Sequence, residues 1–286
     1  MTAIVRVRQN EILISVLIPT YNRVTTLEQC VRSAQAGGYD RLEIIISDNA
    51  STDGTQELAR RLAAEDPRIV FLEHAKNLGP LPNWRACLER ATGDYVHWLW
   101  SDDWVEPAFY RTLMDGLDRY QAQVAIAAAR ITNPEEGWWY IANSFPNRPI
   151  PKDQWMRRML AGSTGPVSPA AALLPIESCR RHFTNSIPVH GDIDCNRRAI
   201  GCDALMIIGA IHDNAAVYSH PDPLVNFRAH SGSITMSSGN DIIRTHYAWA
   251  RLQWRKMHGY SRSHVALDVA RLIASHHFIA AMRGIL

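Results

Sequence analysis

Short, nearly continuous apolar runs recur along the first 130 residues of this chain and alternate with segments of helical periodicity. The runs Ile12–Ile18, Leu42–Ile46 and Ile69–Leu72 have the composition of strands that are buried on both faces. Two further runs, Tyr95–Trp100 and Val124–Ala128, each follow a segment with helical spacing of apolar residues. Strand and helix thus alternate four times, which predicts an α/β fold with a mostly parallel sheet and helices on both faces.

This alternation stops near residue 130, and the chain divides into predicted parts. Residues 1–130 would form one half of a domain, residues 131–240 the other half of the same domain, and residues 241–286 a set of C-terminal helices. Residues 137–151 combine glycine and proline with aromatic residues, which predicts a long functional loop. Residues 192–200 are predicted to form a helix.

The composition narrows the classes of protein to which the chain can belong. Hydrophobic residues make up 47%, charged residues 20%, and the formal net charge is +2, so nothing argues for a nucleic-acid partner. Five scattered cysteines without a CxxC pair favour a reducing compartment over a zinc site or a disulfide framework. A signal-peptide core is absent, and no apolar run approaches the ~20 residues that span a bilayer. We therefore expect a cytoplasmic protein.

The C-terminal part of the chain is basic. From Arg244 to Leu286 there are seven lysines and arginines and one acidic residue, Asp268. Two interpretations stay open, a peripheral membrane contact or dimer interface and an ordinary solvated helix face. The residues that favour an interface are Trp249, Arg251, Trp254 and Arg255.

Two adjacent carboxylates, Asp102 and Asp103, follow the apolar run that ends at Trp100. Ligands bind at the carboxyl edge of open α/β sheets. Neighbouring carboxylates repel each other unless a positive group lies beside them, and a divalent cation with oxygen ligands would satisfy this need and bridge to a phosphate. The alternative is a polar turn in which Asp103 caps the next helix.

Loops after two other predicted strands should reach the same edge of the sheet. They offer an aromatic ring at Tyr21 and a hydrogen-bond acceptor at Asp48. Together with a metal site, this set suits a nucleoside diphosphate. The patterns G-x-G-x-x-G and G-x-x-x-x-G-K-[ST] are absent, which disfavours a Rossmann dehydrogenase or a P-loop kinase.

Five motifs occur in order between residues 15 and 103. They are Ser15–Arg23, Glu43–Thr55, Asn77–Gly79, Ala91–Tyr95 and Ser101–Asp103. In sequence and spacing they resemble the family 2 glycosyltransferases with a GT-A fold, clearly from about residue 12 to 120 and thinly beyond. The resemblance implies a Rossmann-like, mostly parallel sheet with helices on both faces, followed by a C-terminal helical extension.

The same resemblance implies an inverting, metal-dependent glycosyltransferase of glycan or natural-product biosynthesis. The donor would be a nucleoside diphosphate sugar, UDP- or dTDP-linked, and the cofactor Mn²⁺ or Mg²⁺. The acceptor would be a hydroxyl on a glycan, a lipid-linked molecule or a small molecule. The alternatives are a catalytically degenerate glycan- or nucleotide-binding protein and a sugar nucleotidyltransferase, which is disfavoured because no glycine-rich basic loop follows the first strand.

The resemblance also implies roles for individual residues. Asp102 and His230 would bind the metal, and Asp192 would be the general base, with Asp194 in reserve; a helix N-cap is the alternative for Asp192. The residues expected to bind the nucleotide sugar are Pro19, Tyr21, Asp48, Asn83, Arg85, Ser101, Asp102, Asp103 and Arg228.

Aromatic residues are expected on the acceptor side, because their faces pack well against sugar rings. Trp138, Trp139 and Trp155 are the candidates, with core packing as the alternative. The chain also departs from the family pattern at two positions. Trp100 and Ser47 stand where the family usually or frequently has an aspartate, and the loss at Trp100 would weaken metal binding.

Overall fold

The computed structural model describes residues 11–142, 146–161, 168–183, 187–230 and 240–261, with a few single positions from 233 to 270. The strands are β1 Ile14–Thr20, β2 Leu42–Asp48, β3 Ile69–Glu73, β4 Tyr95–Trp98, β5 Trp104–Val105, β6 Val124–Asn133, β7 Trp138–Ala142, β8 Arg148–Pro151, β9 Ala172–Pro175 and β10 Ala216–Arg228. The helices are α1 Leu27–Gln35, α2 Thr55–Glu65, α3 Pro80–Arg90, α4 Phe109–Tyr120, α5 Lys152–Ala161, α6 Ile176–His182, α7 Cys195–Arg198, α8 Cys202–Asp213 and α9 Asn240–Met257.

All of these strands belong to one mixed sheet. The order is β3-β2-β1-β4-β9-β6-β10-β5, with β7 added to β6 and β8 added to β10. The first four strands in this order are parallel, β9 is antiparallel to both of its neighbours, and β6 and β10 are parallel again. The predicted α/β fold, with a mostly parallel sheet between helices, is confirmed. Both predicted halves supply strands to it, and the exact division into parts stays a prediction.

Two apolar cores lie on the two faces of the sheet, and β1 contributes to both. Leu17 packs into the core that holds Trp98 and Trp155. Its neighbours Val16 and Ile18 pack into the other core. Successive side chains of a strand point to opposite faces, so a central strand with helices on both sides must be apolar throughout. This is why β1 is an uninterrupted apolar run in the sequence.

The predicted loop over residues 137–151 is wrong in part, because this segment contains β7 and β8. Strand β7 pairs antiparallel with β6, from Ala129 opposite Ala142 to Asn133 opposite Trp138. The turn between them includes Gly137, whose φ of 72° is a conformation that glycine adopts without strain. The aromatic residues that suggested a functional loop also have high strand propensity.

The predicted helix over residues 192–200 is shorter than expected, since only Cys195–Arg198 is helical. The long helix α8 that follows was not predicted. Nine of its residues are buried, so it lacks the amphipathic stripe by which surface helices are recognised. Helix α9 matches the first part of the C-terminal helices predicted over residues 241–286, whereas most of the residues after 261 lie outside the described ranges.

The aromatic and basic side chains of α9 pack mostly against the domain itself. Trp249 donates its indole N–H to the carbonyl of Pro188 at 2.7 Å, and Arg255 donates to the carbonyl of Leu160 at 3.0 Å. Trp254 is also buried. These three side chains are therefore not an exposed surface for a membrane or a dimer, and such a contact elsewhere in the tail stays a prediction. No helix within the described ranges is both long and apolar enough to cross a bilayer.

Gly116 of α4 provides a test of the packing between this helix and the sheet. A β-carbon at Gly116 would lie 1.9 Å from Cε1 of the Tyr218 ring on β10. We expect Gly116→Ala to lower the free energy of unfolding by about 1–3 kcal/mol, because overpacking outweighs the better helix propensity of alanine. Urea unfolding measures the change. Asp118→Ala, at an exposed position of the same helix, is the control and should stay within ~0.5 kcal/mol. A stabilised Gly116→Ala protein would contradict the packing.

His97 of β4 provides a second test, through pH. Its Nδ1 accepts the hydroxyl of Tyr110 and its Nε2 donates to the carbonyl of Ala170, both at 2.9 Å. Burial lowers the pKa of His97 to about 4. The unfolded chain therefore binds more protons between pH 6.5 and 4, and His97 should cost about 1.4 kcal/mol of stability per pH unit as the pH falls through this window.

Denaturant unfolding at pH 7 and pH 5 tests this expectation by comparing the wild type with His97→Gln. The side-chain amide of glutamine can both donate and accept a hydrogen bond, but it does not titrate. The variant should therefore lose less stability than the wild type between the two pH values, whatever its stability at pH 7. Equal losses in both proteins would show that His97 does not cause the pH dependence.

Candidate active site at the carboxyl edge of the sheet

Three loops meet where the parallel strands β1, β2 and β4 end. Asp48, the last residue of β2, is in register with Thr20, the last residue of β1, and Asn49 donates its backbone N–H to the carbonyl of Thr20 at 2.9 Å. On the other side of β1, the backbone N–H of Leu99 donates to the carbonyl of Leu17 at 2.9 Å. The loop after β1, the loop after β2 and the turn at residues 99–103 therefore lie at one edge, as the sequence predicts.

The end of β10 joins this edge from the second half of the domain. The short strand β5 follows the turn at residues 99–103 and pairs antiparallel with β10, so that Trp104 lies opposite Asn226. Two residues later, the backbone N–H of Arg228 donates to Oδ1 of Asp103 at 2.9 Å. His230 lies two residues further along the chain. The topology thus brings two distant parts of the chain into one site.

Asp102 is the centre of a charged cluster. Its Oδ2 lies 2.9 Å from Nε2 of His230 and 3.6 Å from Nη2 of Arg23. Burial raises the pKa of Asp102, but the hydrogen bond from His230 and the charge of Arg23 outweigh burial and leave this pKa below its usual value. Asp102 is therefore ionised at neutral pH, and Arg23 belongs to the site although the sequence did not single it out.

Asp103 has a different environment from its neighbour. Its side chain is buried and accepts the backbone N–H of Arg228. Burial and the charge of Asp102 raise the pKa of Asp103 well above its usual value. The pair therefore carries its negative charge on Asp102, which resolves the repulsion that two adjacent carboxylates would otherwise suffer.

Arg228 extends along the rim of the site. Its Nε donates to the backbone carbonyl of Asp102 at 3.1 Å, and its Nη2 donates to Oε1 of Gln29 at 2.6 Å. The guanidinium lies 5.0 Å from the centre of the Trp104 ring, within the range of a cation–π contact. These contacts hold a positive charge beside Asp102, and Gln29 is a second residue that the sequence did not single out.

A divalent metal fits the two groups at the centre of the cluster. Asp102 offers carboxylate oxygens and His230 an imidazole nitrogen, which are ligand types that Mn²⁺ accepts. Across the described part of the chain, no group of three or more His, Cys, Asp and Glu residues could hold a metal by itself. A metal here would take its remaining ligands from phosphate and water, as Mg²⁺ sites commonly do.

Trp100 is the residue at whose position the resemblance implies an aspartate. Its ring centre lies 4.6 Å from that of Trp84 and 6.1 Å from that of Trp98, and its indole N–H donates to the hydroxyl of Ser168 at 2.6 Å. The adjacent Ser101 is buried, and its carbonyl accepts the hydroxyl of Thr26 at 2.9 Å. This stretch is thus held by packing and backbone contacts before the chain reaches Asp102.

Asp48 organises the loop after β2. It is fully buried, and its Oδ2 accepts the backbone N–H of Ser51 and the side-chain amide of Gln56, each at 2.9 Å. Its Oδ1 accepts the hydroxyl of Ser51. Because these groups already engage both oxygens, Asp48 shapes the loop in this structure, and the expected contact with a base stays a prediction.

The remaining candidates for nucleotide binding differ in exposure. Pro19 is buried within β1, whereas Tyr21, the first residue after that strand, is 43% exposed. Asn83 is buried and ties β1 to β2 through the carbonyls of Thr20 at 3.4 Å and Ser47 at 3.0 Å. Arg85 lies with its guanidinium 5.9 Å from the centre of the Phe183 ring. Tyr21 is therefore the member of this set that is most open to a ligand.

The two candidates for the general base have different roles in the structure. Asp194 is the N-cap of α7 and accepts the backbone N–H of Arg197 at 3.0 Å. Asp192 is exposed in the turn between His190 and Ile193, which exchange two backbone hydrogen bonds. The N-cap alternative for Asp192 is therefore wrong, since the capping residue is Asp194. No partner for the Asp192 carboxylate occurs among the described residues.

The three tryptophans expected on the acceptor side divide into two groups. Trp155 is fully buried in the core beside Trp98, so the acceptor role is wrong for Trp155, which has no free ring face. Trp139 is 62% exposed on β7. Trp138 is half-buried, and its indole N–H donates to Oε2 of Glu136 at 2.7 Å. Sequence could not separate them, because all three are tryptophans near glycine- and proline-rich segments.

Comparison with solved structures shows a shared fold. S. aureus TarS 1-349 in complex with UDP-GlcNAc has a TM-score of 0.66 at 15% identity, covering 92% of this chain and 72% of that chain. The same protein in complex with UDP gives a TM-score of 0.67 at 13% identity, covering 91% and 70%. At this level of identity, the likeness concerns the fold alone.

Comparison with protein sequences gives partial relatives. The chain is 36% identical over 112 residues to the GalNAc(5)-diNAcBac-PP-undecaprenol beta-1,3-glucosyltransferase of Campylobacter jejuni, covering 39% of this chain and 36% of that protein. It is 37% identical over 137 residues to abequosyltransferase RfbV of Salmonella typhimurium, covering 44% and 41%. A third relative, glycosyltransferase GlyA of Streptococcus pneumoniae, is 32% identical over 127 residues, which is 44% of this chain and 18% of GlyA.

The chain thus matches less than half the length of each of these relatives. The family model described as Glycosyl transferase family 2 matches residues 15–183, which is more than half of this chain. The matched range includes the loops after β1, β2 and β4, together with Asp102 and Asp103. The chain therefore belongs to glycosyl transferase family 2.

Proposed function

We propose that this protein transfers a sugar from a nucleoside diphosphate donor, UDP- or dTDP-linked, to a hydroxyl acceptor, with inversion at the anomeric carbon. The observation that carries the proposal is the meeting of Asp102, His230, Arg228 and Arg23 at the carboxyl edge of the sheet. Membership of the family supports sugar transfer, and neighbours of the same fold that are in complex with UDP and UDP-GlcNAc support the donor class.

Charge is the main contribution that this site would make to the reaction. As the bond from the sugar to the diphosphate breaks, negative charge builds on the leaving phosphate oxygens. Arg23 and Arg228 hold positive charge beside Asp102. Mn²⁺ or Mg²⁺ held by Asp102 and His230 would supply further positive charge for the diphosphate. Tyr21, exposed at the end of β1, offers a ring for the base.

The acceptor hydroxyl needs a base that removes its proton as the oxygen attacks the anomeric carbon. Asp192 suits this role because it is exposed and Asp194, two residues on, already caps α7. Helix α7 packs against α3, which begins beside the loop after β2. The acceptor class is a glycan, a lipid-linked molecule or a small molecule, and the relative named for transfer to an undecaprenol-linked glycan supports the lipid-linked case.

Calorimetric titration with UDP, dTDP, GDP and ADP, with and without Mn²⁺, tests the donor and the metal together. We expect one pyrimidine diphosphate to bind with Mn²⁺ present, and Asp102→Asn to weaken this binding by about tenfold or more, because a neutral amide is a poor ligand for a hard cation. Asp118→Asn, an exposed position on α4, is the matched control and should bind like the wild type.

The opposite outcomes of this titration have clear meanings. If Asp102→Asn binds UDP with unchanged affinity and unchanged dependence on Mn²⁺, Asp102 is not the metal ligand. If no nucleotide binds in the presence of metal, the donor proposal is wrong, and a catalytically degenerate glycan-binding protein becomes the better interpretation.

The rate of sugar transfer tests the general base. It is measured as the release of nucleotide from a sugar donor of the nucleotide that binds, in the presence of hydroxyl acceptors. We expect Asp192→Asn to lower kcat by about 10²–10⁴-fold and to leave the affinity for the nucleotide unchanged, because only proton transfer is lost. Asp194→Asn is the control, since asparagine also caps a helix. A large loss in Asp194→Asn with a small loss in Asp192→Asn would assign the base to Asp194.

A further inference from the structure

Four neighbouring strands place a row of aromatic and polar side chains on one face of the sheet. Residues that lie opposite each other on paired strands share a face. Trp104 of β5 lies opposite Asn226 of β10, which lies opposite Arg130 of β6. Two residues further along β10, Arg228 lies opposite Thr132 of β6, which lies opposite Trp139 of β7. Positions 226 and 228 share a face because side chains alternate along a strand.

The contacts between these side chains agree with the register. The guanidinium of Arg130 lies 5.7 Å from the centre of the Trp139 ring. Its Nη1 is 3.3 Å from Oδ1 of Asn226 and 3.6 Å from Oε1 of Glu106, and Asn226 donates to the same Glu106 oxygen at 2.8 Å. We call Trp139, Arg130, Asn226 and Glu106 the Trp139 strip. It joins the exposed indole of Trp139 to the partly exposed side chains of Arg130 and Glu106, which the buried amide of Asn226 links to each other.

The strip lies next to the candidate active site. Paired strands are about 4.8 Å apart, so the backbone of Trp139 is about 10 Å from that of Arg228, two strands away. Arg228 in turn donates to the backbone of Asp102. A molecule that lies across the strip would therefore extend from the site where the diphosphate is expected to bind.

The chemistry of the strip suits a neutral sugar ring. Trp139 is 62% exposed, so its ring is open to a ligand. Its flat face can pack against the C–H surface of a pyranose. The partly exposed side chains of Arg130 and Glu106 beside it can hydrogen-bond ring hydroxyls, and the carboxylate of Glu106 offsets the charge of Arg130. This balance disfavours an anionic ligand.

We propose that the Trp139 strip binds a pyranose ring of the acceptor, so that the acceptor is a molecule that already carries sugar. The proposal rests on the proposed function, because the bound ring would belong to the acceptor of the sugar transfer. The strip would hold this ring while a hydroxyl elsewhere on the acceptor reacts. Binding of the ring itself does not depend on the donor, and the two proposals can fail separately.

Saturation-transfer NMR of the full chain with the methyl pyranosides of glucose, galactose, mannose and N-acetylglucosamine tests the strip. We expect at least one of them to bind the wild type and Trp139→Ala to weaken that binding by tenfold or more. Tyr140→Ala is the matched control, because Tyr140 is 54% exposed on the same strand but points to the opposite face, where it stacks with Trp138. The control should bind within twofold of the wild type.

Three results would overturn the proposal. The first is that none of these pyranosides binds the wild type, and the second is that Trp139→Ala and Tyr140→Ala weaken pyranoside binding equally. The third is that the wild type is a dimer and Trp139→Ala is a monomer, which would make the strip a subunit interface. Thermal unfolding checks that both variants fold as the wild type does.

A UDP titration of the same proteins separates this proposal from the proposed function. Retained UDP binding in Trp139→Ala together with lost pyranoside binding supports the strip. UDP binding by the wild type with no pyranoside binding overturns the strip alone. Pyranoside binding with no nucleotide binding supports the strip as a sugar site and overturns the donor proposal alone.

Discussion

The hydrogen bond from the backbone of Arg228 to the buried carboxyl group of Asp103 is the contact on which the geometry of the site depends. Asp103 belongs to the turn after β4, and Arg228 ends β10, which is separated from β4 by β9 and β6 in the sheet. This contact fixes the end of β10 against that turn. Burial and the charge of Asp102 raise the pKa of Asp103 and so favour the neutral form of its carboxyl group, which is less costly to bury than a charged one.

The distribution of charge around Asp102 follows from the same arrangement. With Asp103 favouring its neutral form, Asp102 supplies the negative charge, while Arg23 and Arg228 supply positive charge within contact of its side chain or backbone. Trp100, at a position where the family resemblance implies an aspartate, brings no charge to this region and packs against Trp84 with the two rings tilted by 33°. A site with this balance suits a negatively charged diphosphate leaving group, and this supports the proposed donor class.

Tryptophan has opposite roles in different parts of the domain. Trp98, Trp100 and Trp84 form a connected aromatic layer behind the site, and Trp155 is fully buried nearby. Trp139 instead lies on an added strand at the rim with most of its ring in solvent. The difference arises from strand pairing, because β7 joins only β6 and no helix within the described residues covers its outer residues. Composition alone assigns all of these residues to one class.

Local sequence determined the strands β1 to β4, the helices between them and the edge at which Tyr21, Asp48 and Asp102 meet. Those features depend on hydrophobic periodicity and on parallel pairing, and both are properties of short segments. The buried helix α8 escaped prediction because a helix that is apolar on all sides has no periodic stripe. The hairpin of β6 and β7 escaped because its aromatic residues suit an exposed loop and a strand equally well.

Tertiary structure alone decided which of two similar residues has which role. Asp102 is ionised and Asp103 is buried against a backbone N–H, although they are adjacent in sequence. Likewise, Asp194 caps α7 and leaves Asp192 free of that role. The reason is that burial and ion pairing depend on partners far along the chain, as with Asp102 and His230, which are 128 residues apart. Short-range patterns determined where the candidate site lies, and long-range contacts decided which side chains meet there.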